Sequence, residues 1–154
     1  MTPTNNISWR RVLALIAILL INGSLIWFYH DRYWCPQDDG VFAHVAERIL
    51  DGEVLNRDIE EIHPGYGNFI NAGAMAFFGR TLVSLRYPLV LIVLVQSYLI
   101  FRLFLPHGLL LAVVASVVPT ALGELQFLNP NPHWYCLFAG IAFISFLIQT
   151  LRDS

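Results

Sequence analysis

Nine of the eleven acidic residues fall between His30 and His63: Asp31, Asp38, Asp39, Glu47, Asp51, Glu53, Asp58, Glu60 and Glu61. Only Arg32, Arg48 and Arg57 stand against them, and the adjacent pair Asp38-Asp39 lies near the head of the stretch. A carboxylate held within hydrogen-bond reach of a substrate can act as a general base, and carboxylate oxygens can also ligate a hard divalent cation. This is the only long polar interval in an otherwise apolar sequence. If the chain carries chemistry, it is here.

The rest of the composition says what must position these groups. Of 154 residues, 56% are hydrophobic and only 13% charged, against about a quarter in a soluble domain, so the membrane is the implied solvent. There is no lysine and no basic patch, which excludes nucleic acid as a partner. Cys35 lies in the polar interval and Cys136 at the start of an apolar run. Two cysteines so differently placed read as unpaired thiols rather than a disulfide framework.

Val12 to Phe28 is an apolar run preceded by Arg10 and Arg11 and followed by Trp27, Phe28, Tyr29, Tyr33 and Trp34. Its length and its aromatic belt read as an uncleaved first membrane helix rather than a signal peptide. The two arginines then hold the N-terminus in the cytoplasm, and the acidic loop, residues 30–64, lies outside. Within the loop Phe42, Val45 and Ile49 fall at helical spacing, widened by Val41, Ala46 and Leu50, with His44, Glu47, Arg48 and Asp51 opposite. This predicts a short amphipathic helix on the membrane surface, capped by Asp38 or Asp39 and ended at Gly52. Residues 53–61 read as irregular, and Pro64 disfavours helix at His63.

Apolar runs follow over Gly65–Gly79, Pro88–Leu105, Gly108–Leu122 (with Pro119 as a kink) and Trp134–Leu151, the last two separated by a loop rich in Pro and Asn. The fold class is therefore an all-α membrane protein, one membrane domain of four or five hydrophobic helices plus the external juxtamembrane helix. Gly65–Gly79 would reach only about 22 Å as a helix, which favours dipping into the interface over crossing. Arginine counts on the two sides tie between these topologies. Asn22 and Gln96 read as helix-bridging groups, and Arg102 as a residue snorkelling to the interface.

In order along the chain, Asp38-Asp39, Phe42-Ala43, Leu50-Asp51-Gly52, Arg57-Asp58, His63-Pro64-Gly65-Tyr66, Phe78-Gly79 and Leu85-Arg86 resemble the N-terminal part of the GT-C superfamily of integral-membrane glycosyltransferases. The protein O-mannosyltransferase-like and aminoarabinose-transferase-like enzymes are examples. The resemblance covers residues 10 to about 90, and the rest only as a hydropathy pattern. It implies sugar transfer from a polyprenyl-phosphate donor to an acceptor on the outer side of the membrane, in a bacterial inner membrane. Asp38 falls at the family's catalytic or acceptor-orienting position, with Asp39 where Glu is common, and His63 where some relatives carry a basic residue facing the lipid phosphate. Glu124 is the candidate for a second acidic group in the next external loop. Pro64-Gly65 replaces the frequent Pro-Pro. Family members carry many more spans, so the chain reads as a fragment, a truncated product or half of a split enzyme, inactive alone and completed by further helices.

Inverting sugar transfer needs a base at the acceptor and cationic stabilisation of the leaving phosphate. Asp38 and Asp39 supply the first type of group; Arg57, His63 and Arg86 supply the second. Asp38, Asp39 and Glu124 are also possible oxygen ligands for a divalent metal, which the sequence leaves open. Each has a plainer reading: a helix cap, a membrane anchor for Arg86, a loop histidine for His63. The rival function is a non-catalytic small membrane protein, an assembly partner or a carrier-lipid handling subunit, with the acidic loop as a solvated binding surface.

Overall fold

A computed structural model describes residues 8–63 and 65–153; Pro64, expected to keep His63 out of a helix, lies outside the described residues. Six α-helices and no strand are found among the described residues: α1 (Trp9–Tyr29), α2 (Pro36–Leu50), α3 (Tyr66–Phe78), α4 (Tyr87–Phe104), α5 (Leu109–Leu122) and α6 (Pro132–Asp153). Short 3-10 turns precede α4 at Leu82–Arg86 and follow α5 at Glu124–Phe127. Among the described residues four helical stretches are long and apolar enough to cross a membrane: Trp9–Tyr29, Leu82–His107, Leu109–Phe127 and Pro132–Arg152. The chain is an integral membrane protein. Neither α2 nor α3 belongs to these four.

The side chains are distributed inside out, as lipid demands. Fully buried positions in the bundle include Asn22 on α1, Gln96 and Ser97 on α4, and Ser116 and Thr120 on α5, while Leu20, Leu91, Leu110 and Phe143 face outward. Hydrocarbon can satisfy no donor or acceptor, so polar groups must find partners inside the protein. The Asn22 amide does so by donating to Ser97 Oγ at 2.7 Å and to the Ser116 carbonyl at 2.9 Å, which joins α1, α4 and α5. Gln96 donates to Glu124 across α4 and the turn after α5. Both bridging roles expected from the sequence are present.

Helix α3 follows the same inverted rule. It buries Asn68 and Asn71 and exposes Phe69, Phe77 and Phe78, so its outer surface is suited to lipid although it is too short to span. His63, just before α3, has its ring 6.0 Å from that of Phe42 in the first half of α2. Arg80, just after α3, pairs with Asp51, just after α2, at 2.7 Å. The two helices therefore run side by side in the same direction. Phe42, Ala43 and Ala46 of α2, Ala72 and Met75 of α3 and Leu85 of the following turn form their shared core.

Helix α2 departs from expectation at its head. It begins at Pro36 with Cys35 as N-cap, so neither Asp38 nor Asp39 caps it; both lie in the first turn. Proline's fixed φ suits it to the first helical position, and it starts the helix earlier than the carboxylates would. Val41 is exposed, and Ala43 takes the place given to it in the buried stripe. Gly52 at φ +92° ends α2, and Gly79 at φ +98° ends α3. Both conformations are rarely open to other residues.

Packing then assigns the ends of the bundle. Ile26, Leu89, Leu128 and Tyr135 cluster where α1 and the turn after α5 finish and where α4 and α6 begin. Ile18, Phe101 and Ala112, with Ala14 and Phe104 beside them, cluster toward the opposite end. The α2–α3 unit is fastened to the first of these ends.

Candidate functional site

Three contacts fasten it. Arg86, at the head of the second long helix, donates through Nη2 to both carboxylate oxygens of Asp39, at 2.9 and 2.8 Å. Its guanidinium carbon lies 4.5 Å from the centre of the Trp34 ring. Asn129, in the loop before α6, donates to Asp38 at 3.1 Å, and the Tyr135 hydroxyl donates to Asn71 at 3.0 Å. Residues distant in sequence thus converge on the first turn of α2.

Local structure aims each of them. Ser84 Oγ donates to the Gly79 carbonyl at 2.6 Å and lies 2.9 Å from Thr81 Oγ, which fixes the turn that carries Arg86. Asp39 accepts the Cys35 backbone N–H at 2.8 Å, reaching back to the residue that caps its own helix. The carboxylate therefore satisfies one of the N–H groups that a helix start leaves without an intrahelical acceptor.

The adjacent aspartates end up unlike each other. The Asp39 side chain is 2% exposed and that of Arg86 0%, so this ion pair is removed from solvent. Burial pushes the Asp39 carboxyl above its ordinary range; the Cys35 N–H and Arg86 pull against that shift without reversing it. Asp38 is only partly buried and receives a neutral hydrogen bond from Asn129. A cleft of about 510 Å³ lies one residue away from the pair, lined in part by Tyr29, Tyr33, Cys35, Gln126 and Asn129 but by neither aspartate. Two of these donate to the carboxylates, Cys35 through its N–H to Asp39 and Asn129 to Asp38.

The other candidates lie apart from this turn. Arg57 is exposed and pairs with the neighbouring Asp58 at 2.7 Å. That bond, with a further one from the Val54 N–H, lowers the Asp58 carboxyl. His63 is partly buried, its Nδ1 2.8 Å from Glu61 Oε1. Burial raises the Glu61 carboxyl, but the backbone N–H and ring of His63 outweigh it and leave the group below its ordinary value. Glu124 is buried and held by Gln96. Asp38, Asp39 and Glu124 do not gather: among the described residues no group of three or more His, Cys, Asp or Glu side chains could hold a metal ion.

Sequence reasoning paired none of these residues across the chain. It gave no role in the site to Asn129, Trp34, Tyr33 or Gln126. Trp34 was legible only as one of an aromatic belt, and Asn129 only as part of a loop. No family model matches the sequence, and no curated protein or solved structure is significantly similar to it.

Proposed function

We propose that this chain forms the acceptor-activating end of an integral-membrane glycosyltransferase of the GT-C kind, using a polyprenyl-phosphate-linked sugar. The observation that carries the reading is the division of labour within the aspartate pair. Arg86 and the Cys35 N–H occupy Asp39, while Asp38 keeps a less buried carboxylate beside the cleft. In this reading Asp38 takes the proton from an acceptor hydroxyl as its oxygen bonds to the sugar's anomeric carbon. The bond from that carbon to the phosphate oxygen breaks, and polyprenyl phosphate leaves with the electron pair. Asp39 and Arg86 position Asp38. Arg57 and His63, on the α2–α3 unit, are the groups left to meet the leaving phosphate, and Glu124 is a second acidic group toward the same end.

The same reading places the acidic end outside a bacterial inner membrane. Arg10, Arg11, Arg102 and Arg152 then lie at the cytoplasmic end, four of the six arginines outside the acidic loop, the same number as in the crossing topology. The bond from Arg86 to Asp39 supports keeping Arg86 with the acidic loop, and in this reading α3 dips into the interface without crossing.

The test is transfer of labelled sugar in membranes containing the complete protein. Asp38→Asn should lower the rate by about 10²–10⁴-fold, the usual contribution of a positioned base. Transfer at the wild-type rate would remove the proposal. The purified 154-residue chain should be inactive; activity that Asp38→Ala abolishes would show instead that these helices suffice.

One observation favours the rival, a non-catalytic assembly partner or carrier-lipid handling subunit. Beyond Tyr135, no described residue of α6 is fully buried, which leaves a long apolar face for further helices. That reading predicts that Asp38→Asn leaves the activity of the assembled complex unchanged.

A further inference from the structure

The end of the bundle opposite the acidic loop holds a second polar recess. Between α4 and α6 lies a groove of about 260 Å³ whose lining includes Tyr98, Arg102, Ser145, Gln149 and Arg152. The spacing explains why they meet. Tyr98 and Arg102 are one turn apart on α4, and Ser145, Gln149 and Arg152 recur on one face of α6. Arg102 donates to the Tyr98 hydroxyl at 3.1 Å. Ser145 Oγ is buried with no hydrogen-bond partner in the structure. Among the described residues no aspartate or glutamate lines the groove.

We infer that this groove binds the phosphodiester headgroup of an anionic glycerophospholipid. Two guanidinium groups provide charge, and arginine matches phosphate oxygens with paired donors. The Ser145 hydroxyl and the Gln149 amide add neutral donors at the same place. A groove between membrane helices that is lined by two arginines is the setting in which basic pockets hold lipid headgroups. Leu91 and Val95 are exposed and continue along α4 on the face that carries Tyr98 and Arg102, so an acyl chain has an apolar track leading from the headgroup. A free anion would use the recess but not the track. The inference does not depend on the glycosyltransferase reading.

The experiment uses the whole chain in detergent, titrated with phosphatidylglycerol, phosphatidylcholine or inorganic phosphate, with bound lipid counted by native mass spectrometry and stability followed by thermal unfolding. Phosphatidylglycerol should be retained and should raise the melting temperature, while phosphatidylcholine and inorganic phosphate should do neither. Arg102→Gln with Arg152→Gln should weaken phosphatidylglycerol binding about tenfold or more. Arg10→Gln with Arg11→Gln removes equal charge at the same end but outside the groove, and should leave binding intact. If the paired groove variant does not fold, Ser145→Leu, which fills the recess and keeps both charges, should give the same loss. Undiminished binding in the groove variants would overturn the inference. So would equal losses in both arginine pairs, or stabilisation by inorganic phosphate alone.

Discussion

The Asp39–Arg86 pair and the Asn22 junction both bury polar side chains fully, and both tie distant segments together, yet they are made of different material. Asp39 and Arg86 carry full charges at the end of the bundle, beside polar loops and under Trp34. Asn22 is a neutral amide within α1, bonded to Ser97 and to the Ser116 carbonyl. Desolvating an ion costs several kcal/mol even after relaxation, whereas an interhelical amide bond in a membrane contributes about 0.6 kcal/mol on average. In these two junctions the charged pair sits beside loops and the neutral one sits among the helices. The first junction is tightly specified and costly to break singly; the second is a modest clamp.

Arg86→Leu gives the largest expected effect. It leaves Asp39 buried without its cation, a loss of about 3–5 kcal/mol. Adding Asp39→Leu should recover most of that loss, because an apolar pair carries no desolvation cost. A double variant no more stable than Arg86→Leu would contradict this account. The pH dependence has a definite sign. The Asp39 carboxyl is already raised above its ordinary value of 3.8, chiefly by burial, and loss of Arg86 raises it further. The folded state then binds a proton more readily than the unfolded chain, so stability rises as pH falls through the folded value. Thermal unfolding of Arg86→Leu should show its deficit shrinking on acidification.

Asn22→Ala tests the other side of the comparison. Its two donated bonds are lost and no charge is stranded, so the expected cost is about 1–2 kcal/mol, with no pH dependence near neutrality. A loss as large as that of Arg86→Leu would mean that the neutral junction, not the charged one, organises the bundle.

How much of this was legible follows from the range of each interaction. The spans announce themselves through runs of apolar residues, and α2 through the spacing of Phe42, Val45 and Ile49, because these are local properties. The start of α2 was also local, and its signal was Pro36: a proline suited to the first helical position precedes both aspartates. What no local pattern carries is partner choice. Asp38 and Asp39 are neighbours in sequence, but which one meets Arg86 depends on how the turn of residues 79–86 aims the guanidinium. Asn129 reaches Asp38 only because the loop before α6 returns to the same end of the bundle. The inverted face of α3 was visible as Asn68 and Asn71, yet only the packed structure shows that they point inward.

Glu61→Gln should have a smaller effect, about 1 kcal/mol, because a neutral acceptor replaces a charged one at the His63 N–H. Its pH sign is opposite to that of Asp39. The folded carboxyl lies below its ordinary value of 4.5, so its contribution is complete above that value and is lost as pH falls through the folded one. The melting temperatures of wild type and Glu61→Gln should therefore converge in acid, where Arg86→Leu also recovers but by the reverse mechanism.

Arg57→Ala has the smallest expected effect on stability and is the sharpest probe of function. The guanidinium is exposed and bonds the adjacent Asp58. An exposed pair between neighbouring residues contributes little, so the melting temperature should not move beyond error. Any change in transfer then cannot be blamed on folding. If Arg57 meets the donor phosphate, Arg57→Ala should raise the KM for the polyprenyl-phosphate sugar by about ten- to a hundredfold, the scale of a charged hydrogen bond. Asp58→Asn should act in the opposite direction, since it frees the guanidinium from a competing carboxylate and should lower that KM. Both constants unchanged would confine Arg57 to its pair with Asp58 and leave His63 as the cationic candidate on the α2–α3 unit.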